Sequence, residues 1–116
     1  MQNIKAANKL KIDTVMKNME KRGITGHYCE TKEDACELIL SMIEDKSVVS
    51  WGGSMTINAL GVKEKLAGRD VVTIDPYGTA DPAESIDRRR QGLLADYYLM
   101  STNAVTIDGE LVNIDG

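Results

Sequence analysis

Apolar positions along this chain switch repeatedly between helical and strand spacing. Ile12, Val15, Met16 and Met19 fall at i, i+3, i+4 and i+7, which predicts an amphipathic helix to about Arg22, stopped by Gly23. Thr25 to Cys29 reads as a short strand. Thr31 then caps a second helix, with Asp34 at the acidic position of a capping box. Its apolar stripe is Ala35, Leu38, Ile39, Met42 and Ile43. Ser47 to Trp51 is a strand that runs straight into Gly52, Gly53 and Ser54, and Met55, Ala59, Val62 and Leu66 predict one further helix. Asp70 to Asp75 is a β-branched strand ended by Pro76. Asp81-Pro82-Ala83-Glu84 starts a helix that reaches about Leu94, with Asp as cap and Pro at the first helical position. Asp96 to Ser101 is another strand. Val105 to Ile107 and Glu110 to Ile114, joined by Asp108-Gly109, read as a β-hairpin on a type I′ turn.

Strand–helix alternation of this kind predicts an α/β fold, a mostly parallel sheet flanked by helices. The C-terminal β-hairpin is expected as an antiparallel addition at the end of that sheet. Residues 1–116 read as a single domain without repeats, linkers or low-complexity stretches. Asp115-Gly116 is a turn signal, so the domain is expected to continue past Gly116 and this chain to be its N-terminal half. An interrupted sheet leaves an edge to be covered, which predicts a homo-oligomer.

Composition narrows the class. Hydrophobic residues make up 42% of the chain and charged ones 28%, a globular balance. Phe is absent, so Val, Ile, Leu and Met must fill the core. A net charge of −4 argues against nucleic acid, whose phosphates require a basic face. No apolar run approaches the ~18–20 residues of a membrane span, and the N-terminus has no apolar signal region. Cys29 and Cys36 form neither a Cys-x-x-Cys pair nor a disulfide framework, which predicts reduced thiols and a cytoplasmic protein. Two cysteines also fall short of the roughly four thiolates of an iron–sulfur cluster, so no cofactor is expected on this chain.

The strongest chemical signal is Trp51-Gly52-Gly53-Ser54-Met55-Thr56. Glycines let a backbone approach an anion, free amides at a helix start point towards it, and Ser54 and Thr56 add hydroxyls. The plainer reading is a Gly-Gly turn with Ser54 as an ordinary cap. Neither a Rossmann fingerprint nor a Walker loop is present. Arg88-Arg89-Arg90 is the second signal. Residues advance about 100° each around a helix, so the three cannot share a target. Ala83, Ile86, Arg90 and Leu93 follow one stripe, which places Arg90 at the edge of the buried face and Arg88 in solvent. Arg90 then holds a ligand anion or makes a structural salt bridge to Asp75 or Asp96. His27 is the one histidine and reads as a packing residue, and Cys36 on an acidic helix reads as inert.

Three runs in this order resemble the LUD domain family of lactate-utilization proteins: Trp51 to Thr56, Arg90-Gln91-Gly92-Leu93-Leu94-Ala95-Asp96, and Ser101 to Thr106 followed by Asp108 to Gly116. The resemblance implies a fold of the sugar-isomerase and CoA-transferase-like superfamily, in which a Gly-rich loop after a strand holds phosphate or an acyl group. Carried over, the ligand-binding residues are Gly52, Gly53, Ser54 and Thr56, with Arg90, Asn103 and Thr106 as further pocket residues. It also implies work in or around bacterial lactate oxidation beside an iron–sulfur oxidoreductase, with any cluster in that partner or in a cysteine-rich tail beyond Gly116. Many relatives carry a Glu-Thr-Gly-Thr-like motif where this chain has Ile107-Asp108-Gly109-Glu110, so the carboxylate resembling a CoA-transferase nucleophile is absent and no catalytic residue is named. The function expected is binding of a small phosphate-bearing or carboxylate ligand. An isomerase or acyl/CoA transferase, and a non-catalytic subunit of an iron–sulfur complex, are the alternatives.

Overall fold

The computed structural model describes residues 2–102 and 104–113, and the chain divides into two compact units. One comprises residues 30–101, and the other joins residues up to 29 with those from 102 onward.

The larger unit is an α/β layer structure, as the alternation of patterns predicts. Its strands β1 (Val48–Trp51), β2 (Val72–Ile74) and β3 (Tyr97–Leu99) form a wholly parallel sheet in the order β2-β1-β3. Val48 pairs with Val72 and Ser50 with Ile74 on one side, while Val49 pairs with Tyr97 and Trp51 with Leu99 on the other. Asp96 anchors the start of β3, since its amide donates to the Val48 carbonyl and its carboxylate accepts from the Val48 N–H. Helix α2 (Lys32–Met42) follows the predicted Thr31 cap, whose hydroxyl accepts from the Asp34 N–H. Helices α3 (Met55–Leu60) and α4 (Val62–Ala67) link β1 to β2, and α5 (Pro82–Gly92) links β2 to β3 behind its Asp81 cap.

Alternation along β1 assigns the two layers. Val49 and Trp51 are buried with Cys36 and Ile43 of the α2 segment and with Val62 and Leu66 of α4. Ser50 points the other way and is also buried, against Gly92 at the end of α5. A Cβ on Gly92 would stand 2.5 Å from the Ser50 Oγ, so only glycine lets this helix end lie so close to the strand.

Two predicted stripes shift. On α2 the buried face is Cys36 with Ile39, Leu40 and Ile43, one residue round from the expected one, and Met42 is 45% exposed. Cys36 is small enough to sit directly against the sheet, which brings its i+3, i+4 and i+7 neighbours inward. The single helix expected after the glycine loop is two. Gly61, at φ 74°, ends α3 and starts α4, and the break leaves Met55 88% exposed while Ile57 turns into the core.

The smaller unit contains α1 (Gln2–Lys21) and the antiparallel pair β4 (Ala104–Val105) and β5 (Leu111–Val112). Gly23, at φ 79°, ends α1 in a Schellman motif: its amide donates to the Glu20 carbonyl and that of Ile24 to the Met19 carbonyl. Thr25 to Cys29 is not a strand. It turns back along α1, so closely that a Cβ on Gly26 would meet the Met16 side chain at 2.8 Å. The hairpin forms a separate two-stranded sheet rather than extending the parallel one. Its turn is not type I′, because among its described residues only Gly109 has positive φ. Ile107, Asp108 and Gly109 form a three-residue loop closed by Thr106 and Glu110, with Gly109 in the left-handed position. Gly109 packs on the helix, where an added Cβ would fall 2.5 Å from the Met19 amide nitrogen. Asn18 and Arg22 of the same unit donate to the Ile107 and Asp108 carbonyls.

Candidate functional site

The glycine loop leaves the carboxyl end of the central strand of a parallel sheet. From β1 the chain crosses to β2 through α3 and α4 on one face, whereas from β2 it crosses to β3 through α5 on the other. Adjacent strands whose connections depart to opposite faces leave a crevice between their carboxyl ends, where open α/β sheets take ligands. Here that position falls between Gly52-Gly53 after β1 and Asp75-Pro76-Tyr77 after β2.

Its walls are held by short-range bonds. Asp75 Oδ1 accepts from the Trp51 indole N–H at 3.2 Å and from the Tyr77 amide at 2.9 Å, fastening the ends of the two strands together. Ser85 Oγ donates to the Pro76 carbonyl and Arg88 to the Asp75 carbonyl, which ties α5 to the same turn. On the β3 side the Gly52 amide donates to the Leu99 carbonyl at 3.0 Å. Ser54 Oγ accepts from the Ile57 amide and lies 3.0 Å from Ser101 Oγ. Its hydroxyl is thus engaged as the α3 cap and as a link to the end of β3.

Gly52, Gly53, Ser54 and Thr56 are contiguous along this edge. Gly53 and Thr56 are exposed and Ser54 is buried. The arginines differ from the sequence expectation. Arg88, not Arg90, lies against the sheet, donating to the Asp75 carbonyl and pairing with Glu84 at 2.8 Å, while Arg90 is exposed. That contact holds the Glu84 carboxyl below its ordinary range, first through the Arg88 hydrogen bond, then through Arg88 charge and the Thr79 hydroxyl. The helix is rotated because Gly92 and Ser85 make the closest contacts with the sheet and turn. Asp96, the other partner considered for Arg90, is taken by Val48.

Thr106 belongs to the smaller unit, where its hydroxyl accepts from the Glu110 amide. Asn103 lies outside the described residues. Two open grooves on that unit are lined by Thr14, Lys17, Asn18, Glu20 and Lys21, and by Asn18, Lys21, Arg22 and Asp108. They are shallow surfaces between solvated side chains, and the loop contributes nothing to them. Among the described residues no group of three or more His, Cys, Asp or Glu side chains is placed to hold a metal, and no helix is long and apolar enough to cross a membrane.

Sequence reasoning passed over Tyr77 and Tyr98, which face the two loop glycines. The hydroxyl of Tyr77 is 3.0 Å from where a Gly53 Cβ would be, and that of Tyr98 is 3.3 Å from the Gly52 position. A polar aromatic just past a strand end was a readable signal for Tyr77. Tyr98 depended on strand register. Cations flank the same edge: Lys63 Nζ lies 4.9 Å from the Trp51 ring centre and the Arg89 guanidinium 5.5 Å from that of Tyr77. Chemically, the arrangement offers backbone, phenol and cationic groups for holding an anion. Its nearest carboxylate, Asp75, already accepts two structural hydrogen bonds.

No curated protein and no solved structure matches the chain. A family model described as the LUD domain matches residues 12–116, nearly the whole chain, and the protein therefore belongs to the LUD domain family.

Proposed function

We propose that this LUD-domain protein works in or around bacterial lactate utilization and binds a small phosphate-bearing or carboxylate ligand at the crevice beside Gly52 and Gly53. The observation that carries the reading is the position of the loop, at the carboxyl end of a central parallel strand where the connections diverge to opposite faces. Membership of the family supports the metabolic setting. Gly53 and Thr56 are open to solvent at this edge, and Arg90 is an exposed cation on α5.

A thermal-shift panel of phosphate, CoA, sugar phosphates and small carboxylates tests the proposal. At a hundredfold excess of ligand over Kd, binding stabilises the native state by about 2.7 kcal/mol. A Gly53→Val variant should keep its fold, because the group it meets is the end of the exposed Tyr77 side chain, and should lose the shift. Arg90→Ala should weaken it. Absence of a shift with every anion for the unsubstituted protein would overturn the reading. Copurification with an iron–sulfur oxidoreductase, with no anion bound, would favour the non-catalytic subunit instead.

A further inference from the structure

Tyr77 comes from the turn after β2 and Tyr98 from β3, so the two phenols reach neighbouring glycines from strands on either side of β1. Both side chains are about half exposed, at 53% and 48%. Among the described residues neither hydroxyl makes a hydrogen bond to protein, although each stands within van der Waals reach of the loop. At this exposure both hydroxyls are open to solvent, so each donor is available to a guest. Each hydroxyl brings one donor to the loop, that of Tyr98 beside Gly52, whose amide is already bonded to the Leu99 carbonyl, and that of Tyr77 beside Gly53. Two cations stand at this edge, Arg89 on the Tyr77 ring and Lys63 on the Trp51 ring, against one carboxylate, that of Asp75, which already accepts two hydrogen bonds.

We propose that Tyr77 and Tyr98 are ligand-binding residues of this crevice, their hydroxyls donating to the oxyanion of a small phosphate ester or carboxylate seated on Gly52-Gly53. The inference rests on the function proposed above and names the groups that would recognise the ligand. Arg89 acts as a positioning residue: its guanidinium orients the Tyr77 ring and adds positive charge at the mouth. Phosphate and carboxylate share this chemistry and differ in size and charge, so the two are compared directly.

Titration calorimetry on the full chain, with inorganic phosphate and with acetate as separate probes, tests the proposal. Tyr77→Phe and Tyr98→Phe keep each ring over its glycine and remove only the donor. The double variant should melt at the temperature of the unsubstituted protein and bind the preferred probe at least about tenfold more weakly, each single change accounting for part of the loss. Preference for phosphate over acetate would assign a phosphate ester, and the reverse a carboxylate. Undiminished binding by the double variant, with binding lost in Gly53→Val, would overturn the role of the tyrosines and leave the crevice intact. No binding of either probe by the unsubstituted protein would overturn the role of the tyrosines, and the function proposed above falls with it only when CoA and the sugar phosphates also give no thermal shift.

Discussion

Gly109 shows how one residue type can decide a local arrangement. Its φ of 83° lies in the region that side chains avoid, and its Cα rests on the backbone of α1 at Asn18 and Met19. Alanine there would add left-handed strain of about 1–2 kcal/mol and force the hairpin loop off the helix. Gly109→Ala should therefore destabilise the smaller unit by about 2 kcal/mol or more, read as faster hydrogen exchange at the amides of Thr106 and Glu110. Unchanged exchange at both amides would contradict this packing. Gly52 and Gly53 differ in kind, because the groups they face are the far ends of exposed tyrosines, which can move aside. The Asp-Gly pair was legible as a turn, but its type was not. That depended on what the loop packs against.

The caps at Thr31 and Asp81 and the stop at Gly23 were legible in the sequence, whereas the start of α1, the break at Gly61 and the helix faces were not. Thr31 and Asp81 cap as predicted because an N-cap is a contact within one turn of chain. The buried face of α2 depends on the partner layer, and the sheet selects Cys36, Ile39, Leu40 and Ile43. Truncating two adjacent residues tests the rotation. Ile43→Ala removes a side chain only 3% exposed and should cost about 2–5 kcal/mol in urea denaturation. Met42→Ala should cost less than about 1 kcal/mol. Equal costs would restore the face expected from periodicity. The same dependence on partners misplaced Arg88 and Arg90, since helical spacing sets the angle between them but not which one meets the sheet.

Among the described residues the parallel sheet has three strands, and no further strand pairs with β2 or β3. Val72 and Tyr98 pair with Val48 and Ser50 and so share the face on which α5 packs, where α5 leaves them 59% and 48% exposed. Apolar surface beside an unpaired strand favours association, and the homo-oligomer expected from the sequence is a prediction to be measured. Light scattering should give a mass above that of one chain at micromolar concentration, and a strict monomer would overturn the expectation.

Amino-acid order alone determined the strand–helix alternation, the helix caps, the parallel α/β class and the glycine loop as the candidate site. These rest on periodicity and on contacts between residues close in the chain. Tertiary structure decided the strand order β2-β1-β3, the separation of the hairpin from the sheet, the arginine that meets the Asp75 turn, and the convergence of Tyr77 and Tyr98 on the loop. Each depends on residues distant in sequence coming together, and neither spacing nor propensity carries that information.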